Sequence, residues 1–201
     1  MKKLYIVGAS IGFSVGLAMA RLPGIGTEYK IINLCKKGAK YSQFNWPAYS
    51  EVEESDRILI FPFGNDMQTG RWTRDKTGDR TFHLLDFVPQ KESVLREFYA
   101  DLTVRILRYK CKFTIVTSFY RFLCPCHKHK DLVRHFRIAN RNVISEFKGL
   151  DNVTVLDHRS LVSEKVYKAK RDLEFYISLL KDQVHFRDNN VIARRIFATF
   201  E

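Results

Sequence analysis

The sequence predicts a three-layer α/β/α sandwich, in which helices cover both faces of a five-stranded parallel sheet. Short apolar runs of strand length alternate with longer segments in which apolar residues recur every three or four positions, as on one face of a helix. Strands that alternate with helices are joined by right-handed crossovers, so the strands are expected to be parallel. The length of 201 residues favours one domain, residues 1–201, over two.

The elements follow from the apolar pattern and from the turn residues that interrupt it. The strands are expected at residues 4–7, 29–34, 57–63, 112–119 and 153–156. The helices are expected at residues 11–20, 89–110, 131–148, 164–180 and 191–200. Between the second and third strands, Pro47 favours a short helix or an irregular segment. Residues 67–87 contain a turn signal between two basic segments and are predicted to be a hairpin insertion.

The first twenty residues also allow a different interpretation, a secretory signal. Two lysines, an apolar segment and then Ala18-Met19-Ala20 imitate such a signal with its cleavage site. Three glycines and two serines dilute the apolar segment, and later segments supply chemical partners for Ser10. We therefore interpret residues 4–7 as the first strand of the domain.

The bulk composition limits the class of protein. No apolar run approaches the length of a membrane span, so no membrane span is expected. The cysteines are too few and too irregularly spaced for a disulfide framework, which favours reduced thiols and an intracellular, cytoplasmic protein. They are Cys35, Cys111, Cys124 and Cys126.

Five residues near predicted strand ends or in loops make chemical sense together. Acyl transfer needs a hydroxyl nucleophile, a base, a group that orients the base and donors for the developing oxyanion. Ser10 would be the nucleophile, His185 the base and Asp182 its orienter. The backbone N–H groups of Ser10 and Gly38 and the side-chain amide of Asn65 would form the oxyanion hole. The substrate would be a small acyl ester.

The order of these segments resembles the SGNH hydrolase superfamily, also called GDSL esterases. The matching blocks read Gly8-Ala9-Ser10, Gly38, Gly64-Asn65-Asp66 and Asp182-Gln183-Val184-His185. The resemblance spans almost the whole chain and implies a flavodoxin-like sheet, a Ser-His-Asp triad, an acyl-enzyme intermediate and no cofactor. The chain departs from the family at Ala9, where the family commonly has aspartate.

Each residue also has a purely structural interpretation. Asn65 and Asp66 are typical turn residues, and Asp182 is a typical helix cap that would leave His185 in a solvated first turn. Ser10 is also a typical turn residue. The joint occurrence of these residues in the order of the family favours the catalytic interpretation.

The charge of the chain keeps a second function open. The formal net charge of +12 predicts attraction to polyanions. Four basic residues advance by four, three and four positions, which places them on one helical face. They are Lys130, Arg134, Arg137 and Arg141. This face is either a solvated helix surface or a ridge that contacts RNA, and the alternative function is an RNA-binding module with little or no catalysis.

The segment 124–129 holds residue types that bind zinc. Its ligands are crowded together, and no second pair of ligands with zinc-site spacing occurs elsewhere in the chain. We therefore expect no metal site there.

Overall fold

The computed structural model describes residues 1–66, 71–74, 80–83, 91–119, 128–162 and 186–200. The strands are β1 (Lys2–Gly8), β2 (Tyr29–Asn33), β3 (Arg57–Phe61), β4 (Arg71–Arg74), β5 (Arg80–His83), β6 (Lys112–Val116) and β7 (Val153–Leu156). The described α-helices are α1 (Ser10–Met19), α2 (Ile25–Glu28), α3 (Glu92–Arg108), α4 (Lys128–Phe147), α5 (His158–Val162) and α6 (Asn189–Phe197). The predicted helix at 164–180 lies outside the described residues.

The main sheet has the predicted five parallel strands, in the order β2-β1-β3-β6-β7. The chain moves from β1 to β2 on one side and then builds outward from β3 on the other side. The connections therefore diverge between β1 and β3, which is where open α/β sheets bind ligands, at the carboxyl ends of the strands. β4 and β5 form a separate antiparallel pair within the range predicted to be a hairpin.

The strands are apolar because helices cover both faces of the sheet. Every residue of β3 is buried, and the central strands bury side chains on both faces. α1 packs against α6, and α3 contacts α4. In the part of the chain that the structure describes, no helix is both long and apolar enough to cross a membrane.

Two strands end earlier than their apolar residues predict. β3 ends at Phe61 instead of residue 63, because Pro62 has no N–H to donate and Phe63 has a left-handed φ of 61°. β6 ends at Val116 instead of residue 119. The Thr117 N–H still donates to the Leu156 carbonyl at 2.9 Å, and from Ser118 onward a side chain takes over the hydrogen bonds of the backbone, as described below.

The segment between β2 and β3 contains no α-helix. It forms two short 3₁₀ turns, Tyr41–Gln43 and Tyr49–Glu51. Tyr41 is buried there among aromatic rings, with centroid distances of 5.5 Å to Phe44, 5.1 Å to Phe63 and 5.2 Å to Phe98.

Close packing of α1 on the sheet depends on glycine. A Cβ at Gly16 would lie 2.5 Å from Nδ2 of Asn33, and a Cβ at Gly12 would lie 2.8 Å from Sγ of Cys35. The Asn33 amide cannot move freely, because its Nδ2 donates to the Phe13 carbonyl at 3.0 Å. Small residues therefore set the distance of α1 from β2.

Gly16→Ala is expected to destabilise the protein by about 1–3 kcal/mol, because the added methyl group overpacks the helix against Asn33. The matched control is Gly26→Ala in α2, where an added Cβ meets nothing within 4 Å. Urea unfolding of both variants measures the difference. A Gly16→Ala protein as stable as Gly26→Ala would show that α1 moves away from the sheet at no cost.

Candidate functional site

Ser10 lies at the carboxyl edge of the sheet, where α1 begins after β1. It is the first residue of α1, one position earlier than the predicted helix start, and it is partly exposed. The Phe13 N–H donates to the Ala9 carbonyl at 2.9 Å, and the N–H groups that precede it in this first turn have no acceptor within the helix. The Ser10 hydroxyl therefore lies beside backbone donors.

The loop after β2 is tied to the end of β1. The Lys36 N–H donates to the Gly8 carbonyl at 3.0 Å, and the Ala39 N–H donates to the Lys36 carbonyl at 3.1 Å. Gly38, in this turn, has a φ of +76°, a conformation that glycine adopts without strain. This places the exposed Gly38 loop at the same edge as Ser10.

The loop after β3 is joined to the Gly38 loop by side chains. Nδ2 of Asn65 donates to the Ala39 carbonyl at 2.7 Å. The Tyr41 N–H donates to both carboxylate oxygens of the buried Asp66 at 3.0 Å. We call these contacts of Asn65 and Asp66 the loop clamp. The loop clamp joins the loops of Gly38 and Asn65, and Ser10 lies at the same edge of the sheet because it follows β1.

Asp182 and His185 lie outside the described residues, so their predicted roles stay predictions. The described residue next to His185 is Phe186, which is buried. Its ring lies 4.9 Å from the ring of Phe119, just beyond β6, and Phe119 stacks at 6.4 Å on Phe61 at the end of β3. Phe186 therefore packs at the carboxyl edge of the sheet.

A small apolar cavity of about 20 Å³ lies next to Ser10. Its walls come from the ends of β1, β3 and β6, and they include Ala9, Gly12, Phe61, Pro62, Thr117, Ser118 and Phe119. One of these lining residues is Ala9, at the position where the family that the sequence resembles commonly has aspartate. A cavity of about 10–15 Å³ holds one water molecule, so this cavity has room for one small group.

A buried polar network holds one wall of this cavity, and the sequence did not single it out. Asn140 of α4 accepts from the Ser118 N–H and donates to the Ser118 carbonyl, both at 2.8 Å, as a neighbouring strand would. The Ser118 hydroxyl donates to the Pro62 carbonyl at 2.8 Å. These bonds replace strand pairing beyond Thr117 and link the end of β6 to the loop that carries Asn65.

His158 completes the network. Its backbone N–H donates to the Thr117 hydroxyl at 2.9 Å, and its Nδ1 also lies 2.9 Å from that oxygen. Burial lowers the pKa of the His158 imidazole to about 3. His158 is therefore neutral at physiological pH, and it acts as a fixed hydrogen-bonding group of the cavity wall. The sequence signal for the network was weak: Asn140 is one polar residue on the apolar face of α4.

The sequence also singled out a basic face of α4, the segment 124–129 and the cysteines. Arg134, Arg137 and Arg141 are exposed on α4, and nothing is described of the Lys130 side chain. Residues 124–127 lie outside the described residues. Among the residues that the structure describes, no three His, Cys, Asp or Glu side chains lie together as ligands of a metal ion. Cys35 and Cys111 are free thiols.

Several solved hydrolases have a similar fold. A member of the lipolytic G-D-S-L family from Veillonella parvula superimposes with a TM-score of 0.59 at 13% identity, over 100% of this chain and 98% of the other. A variant of Axe2, an acetyl xylan esterase from Geobacillus stearothermophilus, gives 0.55 at 16% identity, over 98% and 93%.

A third similar structure is the C-terminal catalytic domain of the peptidoglycan O-acetyltransferase OatA from Streptococcus pneumoniae, with a methylsulfonyl adduct. It gives a TM-score of 0.55 at 14% identity, over 98% of this chain and 90% of the other. No protein-family model and no curated protein matches the sequence. This similarity confirms the fold that the four sequence blocks predicted, which is the fold of the SGNH, or GDSL, hydrolases.

The neutral state of His158 leads to a pH-dependent prediction. In the unfolded chain His158 takes up a proton near pH 6.5, but in the folded protein it does so only near pH 3. Its contribution to stability is therefore present above pH 6.5 and is lost as the pH falls towards 3. The destabilisation caused by His158→Asn is expected to shrink by about 1.6 kcal/mol between pH 6.5 and 5, because the slope rises from half of about 1.4 kcal/mol per pH unit at pH 6.5 to nearly the full value at pH 5.

Urea unfolding of the wild type and of His158→Asn at the two pH values measures this change. The difference between the two proteins removes the contributions of the other histidines. An equal destabilisation at both pH values would contradict a buried, neutral His158.

Proposed function

We propose that this protein is a serine esterase that hydrolyses small carboxylic esters through an acyl-enzyme intermediate. The observation that carries the proposal is that Ser10, the Gly38 loop and Asn65 all lie at the carboxyl edge of the sheet, where the connections of the chain diverge between the paired strands β1 and β3. The fold supports the proposal because its solved neighbours are described as lipolytic proteins, acetyl esterases and an acetyltransferase.

In the proposed reaction, the Ser10 hydroxyl attacks the acyl carbon while His185 takes its proton. The C=O bond becomes a single bond to an oxyanion, which receives hydrogen bonds from the backbone N–H groups of Ser10 and Gly38 and from Asn65. Collapse of the tetrahedral intermediate breaks the ester bond, and the alcohol leaves with the proton from His185. Water then attacks the acyl-enzyme by the same route and restores Ser10. Asp182 orients His185 throughout.

The loop clamp supports the role of Asn65. One N–H of its amide is directed at the Ala39 carbonyl at 2.7 Å, which fixes the plane of the amide before any substrate arrives. The proposal assigns the second N–H to the oxyanion. Donors that are oriented in advance need no reorganisation when charge develops, which is the basis of catalysis by an oxyanion hole.

The position of Phe186 supports the role of His185. Phe186, the residue that follows His185 in the sequence, packs its ring on the ring of Phe119 at 4.9 Å. Phe119 lines the cavity beside Ser10. The packing of Phe186 at this edge supports the proposal, which needs the preceding residue in the sequence, His185, near Ser10.

The size of the cavity supports a short acyl group. A space of about 20 Å³ with apolar walls accommodates a methyl group better than a long chain. Two of the similar structures are described as acting on acetyl groups. We therefore take an acetyl ester as the preferred substrate class.

Ser10→Ala is expected to abolish hydrolysis of an aryl acetate, because the nucleophile is lost. Asn65→Ala is expected to lower the turnover rate by about a hundredfold or more, because one oxyanion donor is lost. The matched control is Asn45→Ala: this exposed amide also donates to a loop carbonyl, that of Leu34, but it takes no part in the proposed site. Steady-state kinetics of the four proteins give the comparison.

The same assay with aryl esters of increasing length tests the acyl group. kcat/KM is expected to fall from acetate to octanoate. Equal activity of wild type and Ser10→Ala would assign any hydrolysis to another group, and a preference for octanoate would contradict the small acyl pocket.

A further inference from the structure

A polar cleft lies between the first half of α3 and the last turns of α4. Its volume is about 430 Å³, within the range of about 300–1,000 Å³ that is typical of small-molecule sites. The polar residues that line it are Glu92, Arg96, Tyr99, Asn142, Ser145 and Glu146. We call this space the α3–α4 cleft. None of these residues lines the cavity beside Ser10, so the cleft is a separate place on the protein.

The Tyr99 hydroxyl is a buried polar group with no hydrogen-bond partner among the residues that the structure describes. The residue is 5% exposed, and its ring packs edge-on against Phe63 at 5.2 Å and Phe147 at 6.3 Å. A buried hydroxyl without a partner is unfavourable, because it has lost its hydrogen bonds to water and has gained none in the protein. A ligand in the α3–α4 cleft would supply the missing partner.

The charges around Tyr99 show which way its hydroxyl points. Burial, and then the negative charges of Glu146 and Glu92, raise the pKa of the Tyr99 hydroxyl to about 12. These two carboxylates lie on the two walls of the α3–α4 cleft, one on each helix. The hydroxyl end of the ring is therefore the end that lies towards the cleft. It keeps its proton at physiological pH, so it is a hydrogen-bond donor there.

The walls of the α3–α4 cleft combine donors with acceptors. Nη2 of Arg96 donates to Oε1 of Glu92 at 3.0 Å, so these two charges are paired with each other. Asn142 and Ser145 add groups that both donate and accept, and Glu146 adds a second carboxylate. An anionic ligand would be repelled by the two carboxylates, and a cationic ligand by the guanidinium. A neutral compound with many hydroxyl groups can use all of these side chains, since each hydroxyl donates and accepts.

We propose that the α3–α4 cleft binds a neutral sugar. Hydroxyl groups of the sugar would accept hydrogen bonds from Tyr99 and Arg96 and donate to the carboxylate of Glu146. The Tyr99 ring is already fixed in the core, so little side-chain freedom is lost when its hydroxyl gains a partner. The sugar has two sources, a free mono- or disaccharide or a unit of a longer glycan chain. Neither source requires Ser10, so the proposal stands apart from the esterase function.

NMR titration of the nitrogen-15-labelled full chain with neutral sugars tests the proposal. The sugars are paired by size: glucose with cellobiose, xylose with xylobiose, and N-acetylglucosamine with chitobiose. At least one of them is expected to shift the amide signals of residues 92–100 and 142–146, with equal affinity in the wild type and in Ser10→Ala. Tighter binding of a disaccharide than of its monosaccharide would assign the site to a glycan chain, and equal binding would assign it to a free sugar.

Tyr99→Phe removes only the hydroxyl and is expected to weaken sugar binding about fivefold, as for the loss of one hydrogen bond between neutral groups. Without sugar, its Tm should equal or exceed that of the wild type, because the lost hydroxyl has no partner. The matched control is Tyr109→Phe. The Tyr109 hydroxyl donates to the Pro47 carbonyl at 2.6 Å and does not line the cleft, so this variant should have a lower Tm and a sugar affinity within twofold of the wild type.

Three results would overturn the proposal. In the first, none of the sugars shifts these signals, or the shifted signals lie at the Ser10 edge of the sheet instead. In the second, Tyr99→Phe and Tyr109→Phe bind sugar equally well. The third uses methylammonium chloride as a cationic probe: a response of the same signals to this salt that Glu146→Gln abolishes, without a response to any sugar, would make the cleft a cation site.

Discussion

The candidate site depends on the loop clamp between the ends of β2 and β3. Asp66 accepts the Tyr41 N–H with both oxygens, and Asn65, its neighbour in sequence, donates to Ala39. Without the clamp, the buried N–H of Tyr41 would lose the carboxylate that accepts from it, which costs about 1–3 kcal/mol. Two loops that are distant in sequence are thereby joined into one rim at the edge of the sheet where Ser10 lies.

The clamp is itself anchored in the layer of helices. The Tyr41 ring packs among three phenylalanine rings, and its hydroxyl donates to Oδ2 of Asp101 on α3 at 2.7 Å. The second rim of the site has a similar construction, because Asn140 of α4 holds Ser118 as if it were paired in a sheet. On both sides of the crevice, helix side chains fix the loops that extend beyond the strands. The rigidity of the proposed site thus originates in the helix layer as well as in the sheet.

The sheet was predictable from the sequence because local apolar patterning determines buried strands, as in the fully buried β3. The positions of Ser10, Gly38 and Asn65 were predictable for a related reason: each follows a strand, and parallel strands end at the same edge. The polar networks were not predictable. Thr117 pairs with His158, 41 residues away, and Asn65 with Ala39, 26 residues away, and no local pattern specifies such partners. The early end of β6 escaped prediction for the same reason, since Asn140 replaces the strand partner there.

The central claim is that Ser10 is a nucleophile at a preformed site. Reaction of the purified protein with a fluorophosphonate probe, followed by mass spectrometry of the labelled peptides, tests it most directly, because the probe forms a stable bond only with an activated hydroxyl. We predict one covalent adduct per chain, located on Ser10 and absent from the Ser10→Ala protein. A protein that stays unlabelled, or an adduct on another residue, would contradict the claim.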